Sequence, residues 1–180
     1  RSRNPDAYRL EAEGLVDRLT DGGTELDRRL AALRAPTAAE VRNMTYQGLV
    51  QGARGVFFYR YCREEDRPIQ PPALWREVQA LAAEMSELAP VLVQPDHPVA
   101  KGGGAGVEVA VREYQSDYYV FAVNVEAVPR RLDMRLDGLP PVSRVHPLYG
   151  AAAAALGAGR LSAALEPLGT AVYRLETAGI

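Results

Sequence analysis

An alternation of period two in the second half of the chain constrains the fold more than any other feature of the sequence. Valine occupies every second position from Val107 to Val111, and the same period returns from Tyr118 to Val125 after a turn signal at residues 115–117. Side chains of a strand alternate between its two faces, so this period is typical of strands that turn one face to a core. Further strands are predicted at residues 132–136, 161–165 and 170–175. Short alternating strands separated by turns predict an antiparallel β-sandwich or a small barrel.

A different pattern precedes these strands, at residues 36–61. Thr37 and Glu40 have the spacing of a capping box, which predicts that a helix begins there, and Gly52 suits the position after its end. The apolar run at residues 56–59 then predicts a short strand buried on both faces. A helix, a turn and a buried strand make half of a βαβ unit, so functional side chains are expected just after the strand.

Two other parts of the first half are predicted to be helical. Residues 4–34 carry leucines at helical spacing with charged residues facing solvent, and a glycine pair divides them into two helices. A further helix is predicted to begin near Pro72 and to be stopped by Pro90. The expected fold class is therefore α+β. N-terminal helices with one or more barrel-type strands are expected in residues 1–90, and an antiparallel C-terminal β-sandwich in residues 91–180.

Composition excludes several classes of partner. The chain of 180 residues has a formal net charge of -2, so no general attraction to nucleic acid or to an anionic membrane is expected. No apolar run reaches the ~20 residues that a membrane span requires. Cys62 is the only cysteine, which excludes an intrachain disulfide and a cysteine-based zinc site, and no cofactor is predicted. Arginine strongly outnumbers lysine, which indicates a bacterial source with a GC-rich genome.

Few residues have the arrangement that catalysis needs. His97 and His146 are the only histidines, and neither stands in the pattern of acid and serine that predicts a catalytic triad. The glycines of residues 101–106 are not interpreted as a phosphate-binding loop because no helix follows them, and the segment is predicted to be a connector. No nucleotide-binding, metalloprotease or serine-hydrolase motif is present.

The candidate binding residues follow the predicted buried strand. They are Tyr59, Tyr61, Arg63, Glu64 and Asp66. The two tyrosines share one side of the strand and could stack on a sugar ring, although plain packing would explain them equally well. Glu64 and Asp66 could bind a hard cation such as calcium, but no further ligands stand nearby, and a solvated loop is the alternative. These carboxylates do not make an acid–base pair, because glycosidic chemistry needs two carboxyls across a cleft.

Several stretches resemble the closing part of TIM-barrel glycoside hydrolases. The helix start P-T-A-A-E-V-R, the turn and strand G-A-R-G-V-F-F-Y, and the helix from L-W-R-E to E-L-A-P are similar to the last helix–strand–helix of such barrels. The stretches Y-V-F-A-V-N and L-E-P-L-G-T-A-V-Y-R-L are similar to strands of the β-sandwich that is appended to many of these enzymes. The resemblance covers residues 36–175 and keeps the order of the family.

The resemblance implies a role for the chain. In this family the acid/base and the nucleophile stand on the fourth and seventh barrel strands, which would precede residue 36, so no catalytic residue is implied here. A complete barrel takes ~250 residues, which implies that the chain is the C-terminal portion of a carbohydrate-acting protein. The strand at residues 56–59 is then expected to pair with the missing barrel portion or with another copy of the chain. Because the sequence begins with Arg1 rather than methionine, it is expected to be processed, tag-cleaved or part of a longer chain.

Two alternatives remain open from the sequence. A non-catalytic accessory or interaction module would bind carbohydrate or a partner chain, and a sugar-binding sandwich is expected to expose a row of tyrosine or tryptophan. Tyr118 and Tyr119 are predicted to lie on opposite faces of their strand, with Tyr114 beside Tyr118. The other alternative is a self-standing α+β domain without sugar chemistry.

Overall fold

The computed structural model describes residues 36–58, 72–98 and 102–177. Contacts divide the chain into two units, Arg1–Pro36 and Thr37–Ile180, and the architecture below belongs to the second. The helices predicted in residues 4–34 lie outside the described residues. Two α-helices and seven β-strands are present in the described ranges. They are α1 (Ala38–Val50), α2 (Pro72–Leu92), β1 (Val107–Tyr114), β2 (Asp117–Asn124), β3 (Arg130–Arg135), β4 (Val142–Pro147), β5 (Ala155–Gly157), β6 (Arg160–Leu165) and β7 (Thr170–Thr177).

Helix α1 begins with the predicted capping box. The hydroxyl of Thr37 accepts a hydrogen bond from the backbone N–H of Glu40 at 3.2 Å, and the Glu40 carboxylate accepts one from the backbone N–H of Thr37 at 2.8 Å. At the other end Gly52 has a φ of +99°, the left-handed conformation that favours glycine after a helix. Ala53 donates its N–H to the Gly48 carbonyl at 2.9 Å, which satisfies one of the last carbonyls. Both predicted ends of this helix are confirmed.

Helix α2 begins at Pro72, as predicted, but continues past Pro90 to Leu92. The prediction that Pro90 stops the helix is therefore wrong by two residues. Proline itself lacks an N–H, but Val91 and Leu92 are buried at 3% and 2% exposure, so their packing keeps the last turn helical. The helix buries three leucines at helical spacing, Leu74, Leu81 and Leu88. No helix in the described ranges has both the length and the hydropathy to cross a membrane.

The strands form two antiparallel sheets. One has four strands in the order β1-β2-β7-β4, and the other has three in the order β3-β6-β5. Strands β1 and β2 pair along their whole length, from Val107 opposite Asn124 to Tyr114 opposite Asp117, with a two-residue turn between them. Strand β1 is therefore one edge of the four-stranded sheet, and β4 is the other.

The two sheets face each other across an apolar core, so the β-sandwich predicted from the alternation is confirmed. The four-stranded sheet contributes alternate residues of β1, β2 and β7, and the three-stranded sheet contributes alternate residues of β3 and β6. The buried members are Val107, Val111, Tyr118, Val120, Ala122, Leu132, Met134, Leu136, Leu161, Ala163, Leu165, Ala171, Tyr173 and Leu175. The described part of the chain is thus an α+β protein whose C-terminal part is rich in β-structure.

Helices α1 and α2 cover the opposite face of the four-stranded sheet. Phe121 and Val123 of β2 and Val172 of β7 belong to a second apolar cluster, to which both helices contribute. The buried helix residues of this cluster are Val41, Tyr46, Leu49, Leu74, Leu81, Leu88, Val91 and Leu92. Strands β2 and β7 are consequently buried on both faces, in three layers of helices, four-stranded sheet and three-stranded sheet.

Residues 56–58 depart from the sequence prediction. The apolar run predicts a buried strand at residues 56–59, but residues 56–58 form no strand, and Phe57 is 85% exposed. Tyr59 lies outside the described residues. A strand needs hydrogen-bonded neighbours, and no strand in the described ranges pairs with this segment. The prediction of a buried strand is therefore wrong for residues 56–58.

Two strands were not evident in the alternation. Strand β4 pairs with β7 through a shift in register between Val142 and Arg144, which interrupts its period. Strand β5 begins at Ala155, the last of five successive alanines at residues 151–155, and forms a hairpin with β6, whose turn residues Ala158 and Gly159 have φ values of 48° and 68°. The glycine segment is a packed connector, since the Gly103 carbonyl accepts a hydrogen bond from β3. The division into residues 1–90 and 91–180 stays a prediction.

Candidate functional site

The predicted binding residues lie outside the part of the chain that the structure describes. They are Tyr59, Tyr61, Arg63, Glu64 and Asp66. Their role at a sugar-binding rim therefore stays a prediction. The segment that leads to them, residues 56–58, is exposed and irregular.

The tyrosines of the sandwich form no exposed row. Tyr118 faces the core between the sheets and is 6% exposed, whereas Tyr119 lies on the opposite face beside the helices, as predicted. Tyr114 also lies on the helix side, so the prediction that it joins Tyr118 is wrong. The reason is the register of the two strands. Tyr114 pairs with Asp117, and paired residues lie on the same face of the sheet, whereas Tyr118, the residue after Asp117, lies on the opposite face. None of the tyrosines on β1 to β7 is exposed.

Two glutamates of α2 meet one arginine of α1. Arg42 donates to Glu77 at 2.7 Å and to the two carboxylate oxygens of Glu84 at 2.6 and 2.7 Å. The hydroxyl of Tyr46 donates to Glu84 at 2.8 Å, and burial together with that negative charge raises the pKa of Tyr46 far above its ordinary value. Both Glu84 oxygens are already occupied, so this cluster joins the helices and offers no acid–base pair to a substrate.

A second arginine, Arg112 on β1, lies between the ends of the two helices. It is 1% exposed and donates to the carbonyl of Leu92 at 3.0 Å and to that of Leu49 at 2.9 Å. Its Nε donates to Asp96 at 2.9 Å, and its guanidinium lies 5.5 Å from the centroid of the Phe121 ring. The last carbonyls of a helix lack intrahelical partners and carry partial negative charge, so one cation donates to a carbonyl at each helix end, and the Leu49 carbonyl also accepts from the backbone N–H of Gly52.

A cleft of about 380 Å³ opens beside this arginine, where the segment after α2 passes the β1–β2 turn. It is lined by Gln94, Pro95, Asp96, His97, Pro98, Glu113, Tyr114 and Gln115. Asp96 is held by its ion pair with Arg112. The His97 ring stands edge-on to Tyr118 with 5.4 Å between centroids, and the His97 backbone N–H donates to the Val111 carbonyl at 2.7 Å.

The groups that line the cleft suit ligand binding, and they form neither a catalytic triad nor a metal site. His97 lies at the β1 edge of the four-stranded sheet, and His146 lies on β4 at the other edge, with its Nε2 2.9 Å from Glu176. The two histidines therefore do not converge. Across residues 36–58, 72–98 and 102–177, no three His, Cys, Asp or Glu side chains are placed to hold a metal ion. Amide, carboxylate, imidazole and phenol groups remain, and these orient a polar ligand by hydrogen bonds.

Neither Arg112 nor the cleft is predicted from the sequence. Arg112 stands at a polar position of the alternation, which predicts exposure. A signal for its burial lies on the neighbouring strand, where residues 120–123 are apolar without interruption, a pattern typical of a strand covered on both faces. The cleft joins residues 94–98 to residues 113–115, and no motif relates these two segments.

Comparison with solved structures places this fold within larger proteins. The chain is similar over 61% of its length to an α-amylase from Geobacillus thermoleovorans complexed with acarbose, with a TM-score of 0.51 and 16% identity. It is also similar over 61% of its length to a variant of AmyP in complex with maltotriose, with a TM-score of 0.50 and 13% identity. A family 30 glycoside hydrolase, a xylanase from Clostridium acetobutylicum, matches 41% of the chain at 17% identity with a TM-score of 0.36.

The chain spans only part of the proteins it resembles. It covers 24% of the α-amylase and 22% of AmyP. At this level of identity the comparison shows a shared fold and no more. No protein-family model matches the sequence, and a comparison with curated proteins finds no match.

Proposed function

We propose that the chain is the C-terminal portion of a carbohydrate-acting protein of the glycoside hydrolase type, and that it contributes no catalytic carboxylate itself. The observation that carries this proposal is the fold, which two carbohydrate-bound proteins share over 22% and 24% of their lengths. The helix cluster agrees with the second part of this proposal, because Arg42 binds the carboxylates of both Glu77 and Glu84.

In this proposal, the segment between α1 and α2 contributes the rim of a sugar-binding site. The residues assigned to the rim are Tyr59, Tyr61, Arg63, Glu64 and Asp66. Two aromatic rings and a few charged groups match the composition of a carbohydrate site, in which rings contact the apolar side of a sugar and polar groups bind its hydroxyls. The catalytic acid and nucleophile belong to a barrel portion that precedes residue 36.

A second candidate, an interaction module that binds a partner chain, is favoured by one observation. Residues 56–58 are apolar and exposed, and Phe57 is 85% exposed. A short apolar segment that pairs with no strand in the described ranges is suited to strand pairing with another polypeptide. The partner would be the missing barrel portion in the first proposal, or another copy of this chain in the second.

The deciding experiment is the intact mass of the protein purified from its natural source under denaturing conditions. A species much heavier than 19.6 kDa is expected, and that longer chain is expected to release sugar from aryl glycosides or from maltotriose. A natural chain of 19.6 kDa that self-associates in analytical ultracentrifugation would overturn the hydrolase proposal and support the interaction module.

A further inference from the structure

Both walls of the cleft between residues 94–98 and 113–115 are fixed by the fold. On one side, Asp96 forms an ion pair with Arg112 and an isolated β-bridge to it, so the segment after α2 is held against the edge of β1. On the other side, β1 and β2 pair in full register up to the turn. A site with preformed walls loses little conformational freedom when a ligand binds.

The β1–β2 turn has two residues other than glycine in a backbone conformation that favours glycine. Gln115 has a φ of 52° and Ser116 a φ of 67°, both in the left-handed region, where turns of this kind favour asparagine and glycine. The amide of Gln115 lines the cleft and donates to the hydroxyl of Tyr114 at 3.2 Å. The turn therefore presents polar groups to the cleft despite a less favourable backbone conformation.

The lining of the cleft combines apolar surface with neutral and acidic hydrogen-bonding groups. Pro95, Pro98 and the Tyr114 ring supply apolar surface, while Gln94 and Gln115 supply amides. The acidic groups are two carboxylates: Asp96 is paired with Arg112, and Glu113 is hydrogen-bonded to the hydroxyl of its cross-strand partner Tyr118. This balance disfavours an anion, and the described residues provide no cluster of ligands for a cation.

We infer that this cleft binds a neutral polyhydroxylated ligand, namely a sugar unit of an oligosaccharide. The volume of about 380 Å³ lies within the range of small-molecule pockets. The C–H face of a pyranose suits the prolines and the tyrosine, and its hydroxyls suit the amides and Glu113. This inference rests on the proposed function for the choice of ligand, but it concerns a site separate from the predicted rim after residue 58.

The test is an NMR titration of the ¹⁵N-labelled chain with maltotriose, cellotriose and xylotriose, each added separately up to about 20 mM. At least one of them is expected to bind with a dissociation constant on the order of 1 mM. The amide signals that move are expected to belong to residues 94–98 and 113–115. Because the ligand reaches a preformed surface, signals of β3 and β6 are expected to stay in place.

Two glycine substitutions in the turn provide a matched pair. Gln115→Gly removes an amide that lines the cleft, and Ser116→Gly removes a hydroxyl that does not, while both remove a non-glycine residue with positive φ. Both variants are expected to unfold at or above the temperature of the unaltered chain. Gln115→Gly is expected to weaken binding about fivefold or more, and Ser116→Gly less than about twofold.

Each result bears on the cleft separately from the proposed function. No response to any of the three sugars, signals that move only outside the cleft, or equal effects of the two glycine variants would overturn the inference. None of these results changes the intact mass of the natural protein, which decides the proposed function. Conversely, a natural chain of 19.6 kDa with cleft-centred sugar binding would refute the hydrolase proposal while leaving the cleft assignment in place.

Discussion

Toward the three-stranded sheet, the four-stranded sheet presents mainly apolar side chains. Its polar groups there include the amide of Asn124 at the end of β2, which donates to the carbonyls of Val128 and Glu166, and the buried hydroxyl of Tyr173, which has no hydrogen-bond partner in the described part of the chain. Toward the helices it presents Arg112 and Thr170, which hydrogen-bond to groups of both helices. Helix α1 adds Asn43, whose amide donates to two carbonyls outside the helix at 2.8 and 2.9 Å. Apart from Asn124 at the end of β2, the sandwich face is therefore held by apolar area, and the helix face by area together with directed hydrogen bonds.

The difference concerns what each face specifies. Apolar contacts constrain volume and tolerate small shifts, whereas hydrogen bonds to buried groups constrain direction. A helix can slide over an apolar sheet at modest cost, but not when Arg112 must reach the carbonyls of Leu49 and Leu92 together. We therefore expect the sandwich core to set most of the stability, and the polar contacts to set the placement of the helices.

Replacing Arg112 by methionine is the strongest test of this comparison. The substitution keeps much of the apolar stem but leaves the Leu92 carbonyl and Asp96 without the Arg112 donor, and the Leu49 carbonyl with only the backbone N–H of Gly52. We expect the free energy of unfolding to fall by about 3–4 kcal/mol in urea titrations, because a helix-end carbonyl is left unsatisfied and the guanidinium contact with the Phe121 ring is lost. Amide NMR signals near the ends of α1 and α2 should also move, while those of β3 and β6 should not.

A matched control is the exposed pair of Arg135 and Asp137. The side chain of Arg135 is 68% exposed, and Arg135→Met is expected to change the free energy of unfolding by less than about 0.5 kcal/mol. If Arg112→Met were as mild as this control, the helices would be held by apolar contacts alone, and the proposed difference between the two faces would not exist.

Truncation inside the sandwich should give a large loss of stability with no change in helix placement. Leu161 is fully buried between the sheets, and Leu161→Ala is expected to cost about 3 kcal/mol through lost burial and a residual cavity. Its cross-strand partner Leu156 is 40% exposed, so Leu156→Ala is the control and should cost less than about 1 kcal/mol. Shifted helix signals in Leu161→Ala would show that the sandwich core also positions the helices.

The sandwich could be predicted from the sequence because its strands show the period-two alternation of apolar and polar residues locally. The alternation of β1, β2 and β3 gives both the strands and the residues that enter the core. The helix-covered face could not be predicted in the same way, because it depends on Arg112. An arginine at a polar position of a strand predicts exposure. Its partners here are backbone carbonyls, which no sequence pattern indicates. The strand predicted at residues 56–59 fails for a related reason, since an apolar run does not state which neighbour will pair with it.

The candidate site could be predicted less well than the fold. The residues predicted after residue 58 lie outside the described ranges, so their role stays a prediction. The cleft was not predicted, because Asp96 and Glu113 come together only when the segment after α2 binds the edge of β1. Contacts between distant segments follow from the topology of the fold, and local patterns in a single sequence say little about topology.

Two buried tyrosines, one on each face of the four-stranded sheet, allow a further comparison of the two faces, with a smaller expected change in stability. Tyr46 donates to Glu84 at 2.8 Å on the helix side, whereas the Tyr173 hydroxyl has no partner among the described residues. We expect Tyr46→Phe to lower the free energy of unfolding by about 1–2 kcal/mol, because the partly buried carboxylate of Glu84 loses a donor. Tyr173→Phe removes only an unsatisfied group and should be neutral or slightly stabilising. Equal losses in urea titrations would mean that Tyr173 is bonded in solution, for instance to a buried water molecule.

The smallest expected effect is a difference in alkaline sensitivity. Burial and the negative charge of Glu84 raise the pKa of Tyr46 in the folded state, so above pH 10 the unfolded chain loses this proton and the folded chain keeps it. The free energy of unfolding must then fall as the pH rises. Between pH 8 and pH 10.5 this group accounts for a loss of about 0.8 kcal/mol, which Tyr46→Phe should lack. Urea titrations at the two pH values measure the difference, and an identical loss in both proteins would show that the proton of Tyr46 is not held by the helix-side network.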